Sequence, residues 1–170
     1  NLELAGANGN DVEETIGATV VDLTVSAGDL IAGTIDITGN LNADTNVTTD
    51  TGAVNVDGTV DTEGTLTSKT AVDVGGTSEL GGNVTAQGGS IVLGDAIADD
   101  VTLTANVKLM ATNLVDVAGA IDGAFNLELA GANGNDVEET IGAAIKNLII
   151  SGDLTAGTID IDGGLTTDAA

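Results

Sequence analysis

The feature that most constrains this chain is an internal repeat. The 18 residues NLELAGANGNDVEETIGA at positions 1–18 recur letter for letter at 126–143, an offset of 125 residues, and similarity continues at lower identity beyond each block. The 170 residues therefore form a single continuous unit, made of one long repeat (1–125) and the start of the next (126–170). Such a chain is either part of a longer array or a unit whose two ends meet in a polymer.

A shorter period lies inside the long one. Segments that start with Leu or Val and continue with polar or small residues recur every 17 to 25 residues, about 20 on average, and they begin at Leu23, Leu41, Leu66, Val84, Leu103, Leu127, Leu148 and Leu165. Between them, runs such as 53–57 and 71–74 alternate apolar and polar residues, which is the period of a β-strand. A strand-rich unit of about 20 residues is one coil of a β-solenoid and is too short for a pair of helices.

Composition supports an all-β chain. The sequence has 25 Gly and no Pro, with 42% apolar residues that are almost all aliphatic or Ala. Gly suits the corners of a solenoid, and a Pro inside a stacked strand would break the hydrogen-bonded ladders on both sides. No segment approaches the roughly 18 consecutive apolar residues of a membrane-spanning helix, so we expect no membrane insertion.

Charge and residue types exclude several classes of function. The 27 acidic residues against three Lys give a net charge of −24, which opposes binding to nucleic acid or to an anionic membrane surface. The absence of His and Cys removes the usual zinc, haem and iron–sulfur ligands, as well as cysteine nucleophiles and disulfides. Any bound metal is therefore expected to be a hard cation held by oxygen atoms.

The two copies predict which side chains face inward. Apolar character is kept at six aligned pairs, namely Val20/Ile145, Leu23/Leu148, Val25/Ile150, Leu30/Leu154, Ile35/Ile159 and Ile37/Ile161. It is lost at three others, where Val21 aligns with Lys146, Ile31 with Thr155 and Thr38 with Asp162. We expect the first set in the core, where each fully buried aliphatic side chain contributes roughly 1.5–3 kcal/mol of transfer free energy, and the second set on the surface.

Three segments carry a resemblance to a known family. The runs 28–37, 86–95 and 100–105 resemble the repeats of large bacterial exoproteins of the filamentous-haemagglutinin type, and the similarity of texture extends along the whole chain. The resemblance implies a right-handed parallel β-helix, here with about 20 residues per coil within the 125-residue repeat. It also implies an extracellular or cell-surface location and a role as adhesin, fibre or matrix scaffold. The strong acidity is a departure from that family.

The charge density of such a rod predicts cation dependence. Seven intervals stacked at about 4.8 Å give a body about 34 Å long, with one net negative charge per roughly 1.4 Å, close to the one per about 1.7 Å of DNA. Like rods should repel at low salt and approach one another when divalent cations are present. The alternative interpretation is a solvated acidic surface that only keeps the protein soluble.

A more specific metal hypothesis concerns the segment GANGNDV, which occurs in both copies of the repeat. It partly matches the calcium-binding nonapeptide G-G-x-G-x-D-x-U-x, with Ala in place of the second Gly and Glu in place of the apolar residue. The candidate oxygen ligands for Ca²⁺ are Asn8, Asn10, Asp11, Asn133, Asn135 and Asp136. A plain turn, with Asn and Gly in left-handed conformations, explains the same residues.

Catalysis is not expected. Two carboxylates could in principle split a glycosidic bond, but the adjacent pairs Glu13–Glu14, Asp99–Asp100 and Glu138–Glu139 would point to opposite faces of a strand. The chain also has no Trp, Tyr, Arg or His to form a sugar-binding platform or to act as a base.

The sequence therefore predicts a structural, non-enzymatic segment of a secreted or cell-surface β-solenoid fibre or giant adhesin. It would self-associate end to end or laterally, or project from the cell. The alternative is a calcium-dependent adhesive module that recognises a carbohydrate or another cell surface.

Overall fold

The computed structural model describes residues 1–168 and consists of parallel β-strands, with no helix in the described part of the chain. Its 22 strands are β1 (Leu2–Leu4), β2 (Asn10–Ile16), β3 (Leu23–Val25), β4 (Leu30–Ile37), β5 (Leu41–Ala43), β6 (Val47–Thr49), β7 (Val54–Val56), β8 (Val60–Thr62), β9 (Leu66–Ser68), β10 (Val72–Val74), β11 (Ser78–Leu80), β12 (Val84–Ala86), β13 (Ile91–Leu93), β14 (Val101–Leu103), β15 (Val107–Ala111), β16 (Val115–Val117), β17 (Ile121–Asp122), β18 (Asn126–Gly131), β19 (Asn135–Ile141), β20 (Asn147–Ser151), β21 (Leu154–Ile159) and β22 (Gly164–Asp168). Residues 1–168 contain no helix that is long and apolar enough to cross a membrane.

The strands stack into three parallel ladders around one core. Face I contains β1, β3, β5, β8, β11, β14, β17 and the second halves of β19 and β21. Face II contains the first halves of β2 and β4, followed by β6, β9, β12, β15, β18, β20 and β22. Face III contains the second halves of β2 and β4, then β7, β10, β13, β16 and the first halves of β19 and β21.

Each coil visits faces I, II and III in that order. The coils lie about 19 residues apart and form a β-solenoid of about nine turns, which confirms the predicted all-β, parallel β-solenoid fold. We refer to the turn between faces I and II as the first corner, that between II and III as the second corner, and that between III and I as the third corner.

The core is aliphatic and continuous from coil to coil. On most strands the first and third residues are buried and the middle residue points outward, so the inward positions repeat with the period of two that a strand requires. Five of the six predicted core positions of the first copy are confirmed, since Leu23, Val25, Leu30, Ile35 and Ile37 are at most 1% exposed. The sixth, Val20, is only partly buried against the core.

In the second copy, Leu154 and Ile161 are only partly buried against the core, and the prediction is wrong at a third residue. Ile159 aligns with the buried Ile35 but is 42% exposed. Within the described chain, the second half of β21 pairs with β19 on one side, and no further strand covers its other side. The predicted surface set is confirmed, because Val21 and Ile31 are exposed by 49% and 46%, and Thr38 and Asp162 are also exposed.

The 125-residue repeat does not contain a whole number of coils. Leu2 lies on face I, and six steps along that ladder lead to Ile121 in β17. Leu127, the counterpart of Leu2, lies one face further on, in β18 of face II. Every later pair shows the same shift, with Leu30 on face II and its counterpart Leu154 on face III. One long repeat therefore spans six and one-third turns, and it returns the same sequence on a different side of the solenoid.

Candidate functional site

The GANGND segment forms a corner of the solenoid in both copies. In the first copy the Gly9 N–H donates to the Gly6 carbonyl at 2.8 Å, and Gly9 has a φ of 105°, which favours glycine. The Asn10 side chain then closes the corner. Its Oδ1 accepts the Gly6 N–H at 2.9 Å, while its Nδ2 donates to the carbonyls of Ala27 and Gly28 in the next coil at 2.9 and 3.1 Å.

The second copy builds the same corner at a different side of the molecule. Asn135 Oδ1 accepts the Gly131 N–H at 2.9 Å, and Asn135 Nδ2 donates to the carbonyls of Ser151 and Asp153 at 3.2 and 3.0 Å. This corner joins faces II and III, whereas the corner of Asn10 joins faces I and II. The local sequence therefore sets the geometry of the turn, whichever face it occupies.

The six candidate calcium ligands thus fall into different environments. Asn10 and Asn135 point into the corners and bond to backbone, Asn8 and Asp11 are exposed, and Asp136 lies half-buried on face III. Asn133 Nδ2 donates to an amide oxygen of the neighbouring coil at 2.6 Å. Among residues 1–168, no group of three or more acidic side chains lies close enough together to hold a metal ion. The structure gives the two Asn a structural role, and calcium binding stays a prediction.

The acidic residues are distributed unevenly over the three faces. The outward column of face I contains Glu3, Thr24, Asn42, Asp61, Glu79, Thr102 and Asp122. That of face III contains Asp36, Asn55, Asp73, Val92, Asp116, Asp136 and Thr155. Because coils stack at about 4.8 Å, carboxylates in one column lie close to those of the next coils and repel them.

Two carboxyl groups on face III have raised pKa values, for which burial is the larger cause and neighbouring carboxylates the smaller. Burial raises the pKa of Asp73 above its ordinary value of 3.8, and the charges of Asp95 and Asp57 raise it further. Burial, and then the charge of Asp136, likewise raise the pKa of Asp116. Asp73 lies in a depression of the surface that is also lined by Asp36, Asn55, Asp57 and Asp95.

The raised pKa values predict that acidification stabilises this face. A carboxyl whose pKa is higher in the folded than in the unfolded chain binds its proton more tightly when folded. The stabilisation of the folded state that comes from this tighter proton binding is therefore fully present below pH 3.8, and it is lost as the pH rises through the folded-state pKa. We expect Asp73→Asn to raise the free energy of unfolding at pH 7 by a few tenths to about 1 kcal/mol.

Thermal unfolding at pH 7 and at pH 3 measures this effect. The gain from Asp73→Asn should vanish at pH 3, where the wild-type carboxyl is already protonated. Glu79→Gln, which removes the same charge from face I, is the control for net charge and should give a smaller gain. A loss of stability in Asp73→Asn at pH 7, or a gain of equal size at both pH values, would contradict this account.

The adjacent acidic residues Asp99 and Asp100 both accept hydrogen bonds from backbone N–H groups. Asp99 Oδ2 accepts the Ala96 N–H at 2.9 Å, and Asp100 Oδ1 accepts the Ala120 N–H at 3.0 Å. Each carboxylate thus holds a different loop of the third corner, instead of converging with its neighbour on a common point.

Sequence analysis missed a polar pair inside the core. Thr49 and Ser68 are at most 2% exposed, and the Thr49 hydroxyl donates to Gly52 O at 2.6 Å and lies 3.3 Å from the Ser68 hydroxyl. Ser68 Oγ also donates to Ala71 O at 2.8 Å. These two residues stand in an inward column that the neighbouring coils fill with the small residues Ala32, Ala86 and Ala111. That alignment between coils is the signal that could have revealed them.

Searches of protein-family models, curated proteins and solved structures with this chain gave no match. The stacked parallel strands place the chain among β-solenoid repeat proteins. A fold of this kind does not by itself define a function.

Proposed function

We propose that this chain is a structural segment of a secreted or cell-surface fibre or giant adhesin, in which the solenoid serves as a stiff, self-associating rod. The observation that carries the proposal is the repeated 18-residue block. It forms the same strands and the same Asn-closed corner at two levels of one uninterrupted stack. In such a fold each repeated block adds coils that contact only their neighbours, so repetition of the block extends the solenoid into a longer rod.

The one-third-turn shift between copies also supports a scaffold role. A binding module that presents one side to a target needs its repeats in phase with the coil. Here the residues of β3 lie on face I while their copies in β20 lie on face II. Repetition of this kind distributes the same surface around the rod, as is useful in a fibre with neighbours on several sides.

Divalent cations are the partner that the charge distribution favours. Faces I and III bring carboxylates of successive coils together, and the pKa of Asp73 is raised first by burial and then by the charges of Asp95 and Asp57. Cations such as Ca²⁺ would lower the repulsion both within a rod and between rods, without requiring one dedicated site.

Electron microscopy of the purified protein, and of the native surface that carries it, tests the proposal in millimolar calcium and again with chelator. The expected result is filaments or bundles one solenoid wide that loosen when the chelator is added. Discrete short rods that respond to neither treatment would overturn the fibre role and favour an adhesive module instead.

A further inference from the structure

Face II carries fewer outward acidic side chains than the other two faces of this strongly acidic protein. Its outward column begins at Asp11 and then runs through six uncharged residues of successive coils: Ile31, Thr48, Thr67, Thr85, Met110 and Ala130. Ile31 and Met110 are 46% and 41% exposed. Beside this column, Lys108 Nζ lies 2.7 Å from Glu128 Oε1, so that these two charges compensate each other.

We propose that face II is the surface on which a second copy of this chain packs, in parallel and related by a two-fold axis along the solenoid. This inference rests on the proposed structural role and names the surface that serves it. Pairing through face I or face III would set columns of carboxylates against each other, and like charges juxtaposed in an interface are strongly unfavourable. Pairing through face II sets Thr and aliphatic side chains against their equivalents.

The lysines at the rim of face II specify the parallel orientation. In that arrangement the first corner of one copy lies opposite the second corner of the other, at the same level. Lys69 follows β9 at the second corner and Glu63 precedes β9 at the first corner, so Lys69 faces Glu63 of the partner subunit. An antiparallel arrangement would instead place the first corner of one copy against the first corner of the other, and the second corner against the second.

The same relation holds one turn from the end of the described chain. Lys146 precedes β20 at the first corner and Asp153 follows it at the second, so these opposite charges also meet across the two-fold axis. Asp44 and Asp50, which flank β6 in the same way, are brought together as like charges and oppose pairing, against the two attractive contacts. All of these groups are exposed, so salt screens both kinds of contact alike. Each of these contacts occurs twice because of the symmetry.

The size of the face is adequate for a specific interface. About nine turns at roughly 4.8 Å give a length of about 43 Å, and the strands of face II, about four residues long on average, span about 13 Å. Two such surfaces bury about 1,100 Å² in total, above the roughly 1,000 Å² that a biological interface needs and just below the standard range of about 1,200–2,000 Å².

Sedimentation equilibrium of the full chain over a range of protein concentrations, at about 0.15 M salt, tests this surface. We expect the wild type to form dimers and Thr67→Asp, at the centre of face II, to be monomeric. Thr102→Asp adds the same charge to face I and should dimerise like the wild type. Circular dichroism establishes that each variant is folded.

A charge swap tests the orientation. Lys69→Glu should weaken dimerisation roughly tenfold, since two rim pairs become repulsive. The double variant Lys69→Glu/Glu63→Lys, which keeps the net charge of the wild type, should restore it. A monomeric wild type, an equal loss in Thr67→Asp and Thr102→Asp, or failure of the double variant to recover would overturn parallel pairing through face II. Filaments seen by microscopy from a chain that stays monomeric in the centrifuge would overturn this surface alone and leave the fibre role intact.

Discussion

Replacing Ile35 with Asp is expected to unfold the coils around β4, at a cost of at least about 4 kcal/mol. Ile35 is fully buried and lies in register between Ile16 of β2 and Val54 of β7. A carboxylate at this position would lose its water without gaining a partner, in a core of aliphatic side chains. Hydrogen exchange of the amides of β2, β4 and β7 measures the effect locally, because solenoid coils contact only their neighbours.

Thr38→Asp is the matched control. Thr38 lies three residues further along and is exposed, and the second copy already carries Asp162 at the equivalent, also exposed, position. The same acidic side chain should change the free energy of unfolding by no more than about 0.5 kcal/mol there. Equal loss of protection in the two variants would contradict the assignment of inward and outward positions.

Comparison of the two copies predicted which side chains point inward and which point outward, because substitutions accumulate at positions that are exposed to water. Val21 and Ile31, which are replaced by Lys146 and Thr155, are indeed exposed, whereas Leu23 is buried in the same coil. The comparison failed at Ile159, since burial there depends on whether another coil covers it, and local sequence carries no information about that.

The position of each copy on the three faces could not be predicted. All three ladders use the same short pattern of buried, outward and buried residues, so Leu2 and Leu127 give no local sign that they lie on different faces. Only strand pairing distinguishes them, because the corners vary in length. The uncharged residues in the column of face II could not be recognised either, because only strand pairing shows that they share a face. In the sequence they are about 19 residues apart and separated by acidic segments.

The candidate ligands show how an identical motif supports two interpretations. In a strand that starts with Asn-Asp, one side chain points inward and the next outward. The sequence offered both as candidate oxygen ligands, with a plain turn as the alternative. The structure separates them, with the amide of Asn135 engaged in the corner and the carboxylate of Asp136 on face III. The Asn corners therefore contribute to stability, and cation binding on the acidic faces stays a prediction.

Asn135→Ala is expected to destabilise the molecule by about 2–3 kcal/mol. Asn135 is 3% exposed, and its side chain makes three hydrogen bonds to backbone groups, including that from the buried Gly131 N–H. Water has little access to replace them, so the substitution leaves buried polar groups short of partners. Hydrogen exchange of β19 and β20 should report the loss.

The chain contains its own control for this substitution. Asn10 sits in the same 18-residue sequence and makes the corresponding three bonds, but it is half-buried, and within the described chain its strand β2 pairs only with β4. Because water can satisfy the groups that Asn10→Ala releases, we expect that variant to lose only about 1 kcal/mol. If both variants lost the same stability, the corner would depend on local turn geometry alone, and the burial supplied by stacked coils would have no part in it.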